Sequence, residues 1–225
     1  MTMWFDAYTT VTNVWTGFSP ITGGITFGAI DTSKFEGSLV RVPNARAENG
    51  DVGVYVPKPT TFSVDGETSE LDEEETTRCL VDSGAHGDSL PFDYAGTAKG
   101  SFFNATGLVN YDGVVAYKGN CSDIPADFKL SYTFAGIAAN ETVTIEVPLR
   151  NYAMELTSTS PDASGLCLLS LELGGCVLGA TWLSGAFLAL DDEDKSIGLA
   201  QGGVSVTGMN ATSSDFSVIG DGESF

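Results

Sequence analysis

The sequence has little positive charge. Ten Lys and Arg residues stand against 30 Asp and Glu in 225 residues, a formal net charge of −20. Neutralising a phosphate backbone needs clustered Lys and Arg, so nucleic-acid binding is excluded, and docking on an anionic lipid surface is excluded on the same ground. Histidine is nearly absent, His86 being the only copy. The four cysteines include no Cys-x-x-Cys pair. With so few metal partners, two disulfides are expected rather than a zinc site, and no cofactor is expected. No run of about 18 apolar residues occurs, so no membrane-spanning helix is expected. Residues 1–18 have neither a basic start nor a continuous apolar stretch and do not read as a signal peptide.

What the chain does contain is enough apolar material for a core: 42% hydrophobic against 18% charged residues argues against global disorder. The length suits one domain or two small ones. Gly, Ser, Thr, Asn and Asp punctuate short segments rich in Val, Ile, Leu, Phe and Tyr, which is an all-β texture with one or two short helices. Strands are expected at 25–27, 38–42, 176–178, 187–190 and 197–200. Residues 129–134 and 142–147 alternate cleanly across a turn containing Gly and Asn and read as a hairpin. A short helix is expected from Pro91 to about Gly100, with Asp93 in its first turn.

Two acidic stretches, Asp65–Glu75 and Asp191–Asp194, raise the idea of a calcium loop. The first lacks the spaced ligands and central Gly of an EF-hand, and both read as a solvated loop and a hairpin turn. From Gly202 the chain is rich in Ser, Gly and Asp, and reads as a tail, 202–225, after a single unit of 1–201. Within that tail Phe216–Ile219 has the composition of an edge strand. Four Asn-x-Ser/Thr sequons, at Asn104, Asn120, Asn140 and Asn210, are glycan acceptors if the chain passes through a secretory compartment. Together with the even cysteine count they give a secreted or secretory-pathway (including vacuolar) texture. A secreted chain without a leader of its own leads to the expectation that coding sequence lies upstream of Met1.

The sharpest local feature is Leu80-Val81-Asp82-Ser83-Gly84, in which two apolar residues deliver a carboxylate to a turn. Alone, Asp-Ser-Gly is also an ordinary turn. A second feature changes its weight. Cys176-Val177-Leu178-Gly179-Ala180-Thr181-Trp182-Leu183 is followed by Ser184-Gly185-Ala186-Phe187-Leu188-Ala189-Leu190-Asp191 and then by Lys195-Ser196-Ile197-Gly198-Leu199-Ala200. This block resembles the end of the C-terminal lobe of pepsin-like aspartic peptidases, with the fungal secreted members closest in pattern. Gly24–Asp31 and Phe35–Leu39 are similar to the stretch after that family's lobe junction, and Leu80–Pro91 to its second catalytic motif. The resemblance is collinear over about residues 4–201.

The resemblance implies a lobe fold, a polypeptide substrate, Asp82 as a catalytic carboxylate, Ser83, Gly84 and Ala85 as its turn, and Val177, Leu178 and Gly179 as the segment running beside it. It implies a Cys121–Cys167 disulfide. Cys79 and Cys176 remain, each three residues before Asp82 and Gly179, offsets that bring them together if the two strands lie side by side.

The family's first Asp-Thr-Gly motif and flap are not found, and Asp31-Thr32-Ser33 lacks the Gly. The chain therefore resembles half an enzyme, inactive alone, whose partner is an N-terminal lobe of the same precursor and whose bared face favours self-association. Ala85 stands where a hydroxyl residue is usual, Ala180 where Asp is common, and His86, Gly87, Asp88 and Ser89 replace residues that usually face substrate. A non-catalytic binding protein keeping the lobe fold is the alternative, and a homodimer pairing two copies of Asp82 is the third reading. Gly87-Asp88-Ser89-Leu90 also spells a serine-esterase signature, rejected because His86 lies on the same short turn as Ser89 and cannot be set by a separate strand. His86 as a metal ligand is rejected for want of partners.

Overall fold

The computed structural model describes residues 1–6, 23–46, 53–69, 77–90, 102–154, 165–204 and 216–219. Its elements are nearly all strands. The alternating pair behaves as its pattern requires. Lys129–Ala135 and Thr142–Pro148 pair antiparallel with Leu130 opposite Val147, Tyr132 opposite Ile145 and Phe134 opposite Val143. All six of these side chains are buried, because period-two alternation turns them to one face. The strand Thr61–Val64 joins the other edge of Lys129–Ala135 and carries Glu67–Ser69 beyond it, forming a four-stranded sheet. Asp65 and Gly66, at φ 50° and 82°, make the tight turn between those two outer strands, so the acidic stretch begins as a hairpin turn. Residues 70–75 of that stretch lie outside the described residues, as does the helix expected at 91–100.

Ala186–Asp191 and Ser196–Gln201 form the centre of a five-stranded sheet. Their sequences are nearly continuous apolar runs because both faces are covered. Ala186, Leu188, Ile197 and Leu199 face the main core, whereas Phe187, Ala189 and Ala200 face a second cluster with Ile30, Trp4 and Phe35. Thr2–Phe5 pairs on one side of this centre and Glu36–Pro43 on the other. The Asp191–Asp194 turn is closed by the Asp194 N–H donating to Asp191 Oδ1, and Arg41 and Arg46 answer its charges at 3.0 and 3.6 Å from Asp194 and Asp192. Phe216–Val218 pairs with Ala29–Asp31 as a two-stranded edge.

The third sheet positions the site. Its order places Val177–Leu178 between Arg78–Val81 and Asp88–Leu90. Val177–Leu178 runs parallel to the first, with Val177 beside Leu80 and Leu178 beside Val81, and antiparallel to the second, with Val177 beside Ser89. Two arms joined by the 82–87 loop thus straddle a strand from almost a hundred residues later. Disulfides link Cys79 to Cys176 and Cys121 to Cys167. The first joins an arm to the straddled strand. The described residues also hold two short helices, Phe102–Thr106 and Ala180–Leu183, and three 3₁₀ turns.

Candidate active site

Asp82 follows directly on Arg78–Val81, where the strand stops and the chain turns. The turn follows from local chemistry. A short carboxylate can accept from the backbone two residues on, and Asp82 Oδ1 does so from the Gly84 N–H at 2.8 Å. The Ala85 N–H donates to the Asp82 carbonyl at 3.1 Å and closes the bend. Ser83 and Gly84 are exposed at its tip, and Ala85 is half-buried.

The turn rests on the segment that straddles it. The Asp82 N–H donates to Leu178 O at 3.0 Å, the Ala180 N–H to Ala85 O at 2.8 Å, and Thr181 Oγ1 to His86 O at 2.9 Å. The backbones approach so closely that a Cβ at Gly179 would lie 2.2 Å from Gly87 O and 2.8 Å from Ala85 O. A Cβ on Gly87 would lie 2.1 Å from Ser170 O. Glycine is required at both positions by this contact, since neither has room for any side chain. Val177, Leu178 and Gly179 therefore sit beside Asp82.

The loop opens on a cleft of about 440 Å³ lined by Asp82, Ala85, His86, Ser89, Glu172 and Met154 among others, with Asp88 in its floor. His86 is exposed at the rim. Ser89 is part of a strand, between Val177 and Glu172. Among the described residues no cluster of His, Cys, Asp and Glu could hold a metal ion. Of the sequons, Asn104, Asn120 and Asn140 are exposed and Asn210 lies outside the described residues.

One residue departs from the expectation that 86–89 face substrate. Asp88 is 1% exposed and points inward. Its Oδ1 accepts from the Gly179 N–H at 2.9 Å, and its Oδ2 accepts from the hydroxyls of Tyr132, at 3.0 Å, and Tyr152. Burial pushes its carboxyl up from 3.8 to about 6, against the opposing pull of hydrogen bonds from Tyr152, the Gly179 N–H, Tyr132 and the Trp182 N–H. Tyr152 is pushed well above the usual tyrosine range by the same burial and then by the carboxylate beside it. The signal was present in the sequence: in the strand Asp88-Ser89-Leu90 alternate residues share a face, and Leu90 is fully buried.

The Asp-Ser-Gly turn is thus presented to a cleft by two arms that straddle a later strand, the arrangement that the resemblance in sequence implies. The comparison of sequences leads to the same class: the chain belongs to the eukaryotic aspartyl protease family, which it matches over residues 8–202. It is 28% identical over 89% of its length to the probable aspartic-type endopeptidase OPSB of Arthroderma otae, and 28% identical over 80% of its length to secreted aspartic protease 9 of Candida albicans. It spans 42% and 32% of those two proteins, less than half the length of each.

Proposed function

We propose that this chain is the C-terminal half of a two-lobed aspartic endopeptidase, with residues 1–201 as its lobe, 202–225 as a tail, and Asp82 as one of two catalytic carboxylates. The observation that carries this reading is the Asp82 turn, fixed from below by Leu178, Ala180 and Thr181 and open to a cleft above. Two carboxylates held together cannot both ionise, so they share a proton. The ionised one takes a proton from a bound water as it attacks the peptide carbonyl, and the protonated one donates to the carbonyl oxygen. One lobe supplies one carboxylate, so the chain alone is inactive. A half-length match to the relatives supports a second lobe from the same precursor. Exposed Ile25, Phe27 and Val218 supply apolar surface through which an isolated lobe would self-associate.

The substrate is a polypeptide, and the route is secretory, as the name of the Candida relative suggests for that protein. Exposed Asn104, Asn120 and Asn140 suit glycan attachment there, and Asn210 is the fourth candidate. A second reading, a binding protein that keeps the lobe fold without catalysis, is favoured by one observation: Ala85 has no hydroxyl to donate to the ionised Asp82. A lost hydrogen bond to a charged group is worth about 1.5–3 kcal/mol, enough to weaken an enzyme and not to abolish it. The test is pepstatin-sensitive proteolysis at acid pH by the precursor containing both lobes. Wild type should be active, Asp82→Asn inactive, and Ala85→Thr more active with its acid limb moved to lower pH. Inactivity of wild type and Ala85→Thr alike, with the fold intact, would select the binding protein. Activity of the 225-residue chain alone would instead select the pairing of two copies.

A further inference from the structure

Three oxygens meet in the buried interior behind the cleft, which Asp88 lines: Asp88 Oδ2, the Tyr132 hydroxyl and the Tyr152 hydroxyl. Tyr132 lies 3.0 Å from the carboxylate oxygen, Tyr152 is also in hydrogen-bond contact with it, and the two hydroxyls are 2.7 Å apart. Three contacts need three protons. With Asp88 ionised only the two phenol protons are available. If both point at the carboxylate, the two phenol oxygens face each other at 2.7 Å with lone pairs opposed. With Asp88 protonated on Oδ2 the count closes. The acid donates to one tyrosine, that hydroxyl donates to the other, and the second donates back to Oδ2. Oδ1 meanwhile remains a carbonyl oxygen accepting from the Gly179 N–H.

This ring joins separate parts of the lobe. Asp88 ends the loop that carries Asp82, Gly179 opens the short helix Ala180–Leu183, Tyr132 stands on the long hairpin, and Tyr152 in the 3₁₀ turn Leu149–Tyr152. Tyr132 and Tyr152 are fully buried. Asp82, His86 and Glu172 line the same cleft from the loop and from the neighbouring strand Leu166–Leu173. Arg150, beside Tyr152, donates instead to the carbonyls of Ile124 and Ser122. Thr181 and Ser170 face the loop as neutral hydroxyls.

We propose that Asp88 is a positioning residue that works as a neutral carboxylic acid: protonated, it closes a ring with Tyr132 and Tyr152 and clamps the Asp82 loop onto Gly179, and ionised, it opens that ring and loosens the loop. The part concerning catalysis rests on Asp82 being catalytic, but the clamp itself does not. The device would confine a well-formed cleft to acid conditions independently of any shared proton at Asp82.

The test is amide hydrogen exchange in the 225-residue chain, corrected for the intrinsic pH dependence of exchange. If loop opening returns Asp88 to its ordinary carboxyl behaviour, a rise from 3.8 to about 6 corresponds to an opening equilibrium about a hundredfold larger in neutral solution than in acid. Protection at Gly179 and Ala180 should fall by up to that factor as pH rises through about 6. Asp88→Asn keeps an acceptor for Gly179 and donors for both tyrosines without a titrating proton, so its protection should stay flat. Equal protection of wild type in acid and neutral solution would overturn the proposal, as would an Asn variant that loses protection like wild type. Should Asp88→Asn fail to fold, carboxyl-labelled wild type decides by NMR: an Asp88 titrating below about 4, as ordinary aspartates do, overturns it. In the two-lobed precursor, Asp88→Asn should shift the alkaline limb of kcat/KM upward in pH. Absence of any proteolysis there, with the exchange result intact, would count against the peptidase reading and leave the clamp standing.

Discussion

Removing the Cys79–Cys176 bridge is the perturbation whose size follows most directly from the structure. The half-cystines are 97 residues apart in sequence, and holding two such positions together in the unfolded chain removes loop-closure entropy worth about 4.7 kcal/mol at 25 °C. The same relation applied to Cys121–Cys167, 46 residues apart, gives about 4 kcal/mol. The first bridge has a second role in the native state. Cys79 is fully buried and Cys176 nearly so, and the bond joins Arg78–Val81, which carries Asp82, to the segment that carries Gly179. Cys79→Ala with Cys176→Ala should therefore lower stability by about 4–5 kcal/mol and also loosen the contact between the Asp82 turn and Gly179, whereas Cys121→Ala with Cys167→Ala should lower it by a similar amount and leave that contact alone. The assay is urea unfolding followed by the fluorescence of Trp182, which is fully buried in the helix beside the site. At a slope of about 2–3 kcal/mol per molar urea the midpoint should drop by about 2 M. A drop corresponding to less than about 1 kcal/mol would refute the entropic reasoning, since bridges closing long loops stabilise most in that account. Equal exchange protection at Gly179 in both double variants would refute the local role.

Further outcomes follow from other residues. Because the carboxyl of Asp88 lies at about 6 in the folded chain against 3.8 normally, folding takes up a proton between those values; it contributes about 3 kcal/mol below about pH 4 that is lost as pH rises through 6. Wild type minus Asp88→Asn, compared by denaturant titration across that range, should show this slope; a difference that grows with pH contradicts it. Gly179→Ala would drive a Cβ into Gly87 O at 2.2 Å, and should destabilise the chain by more than about 3 kcal/mol and displace the Asp82 turn; calorimetry with wild-type stability would overturn that packing. Lys129 and Glu146 meet at 2.6 Å, but both side chains are nearly half exposed, so Glu146→Gln should change stability by less than about 1 kcal/mol in a thermal melt.

The long hairpin and the central strand pair could be read from the sequence because their pattern is local. Leu130, Tyr132 and Phe134 alternate with polar residues, and Phe187 to Leu190 run apolar because both faces are covered. Asp82 at a strand end and the matching offsets of Cys79 and Cys176 were likewise visible in short stretches of chain. The Asp-Gly pairs at 65–66 and 112–113 are hairpin turns with both residues at positive φ, the dipeptide that favours such a turn in sequence. The inward aim of Asp88 is legible in its alternation with Leu90, but its partners are not: Tyr132 and Tyr152 lie 44 and 64 residues away, and no local pattern announces two hydroxyls that far off. The helix Ala180–Leu183 is a single turn, too short to leave a period of its own.

The strand Thr2–Phe5 lies between Gly23–Thr26 and Ala186–Asp191, and the Met1 amino group reaches the carbonyl of Leu190 across 189 positions. Its pairing is therefore deferred during synthesis. At about 5–20 residues per second the ribosome needs about 10–40 s to deliver residue 190 after residue 5. Through that interval one edge of Thr2–Phe5 has no native neighbour and is open to pairing with other chains. The strands that close the sheet are also its most apolar ones. Contacts this distant in sequence slow the folding search, because loop-closure entropy is spent before the contact returns anything. The lobe should fold late and slowly, and its yield should fall with chain concentration more steeply than its final stability suggests.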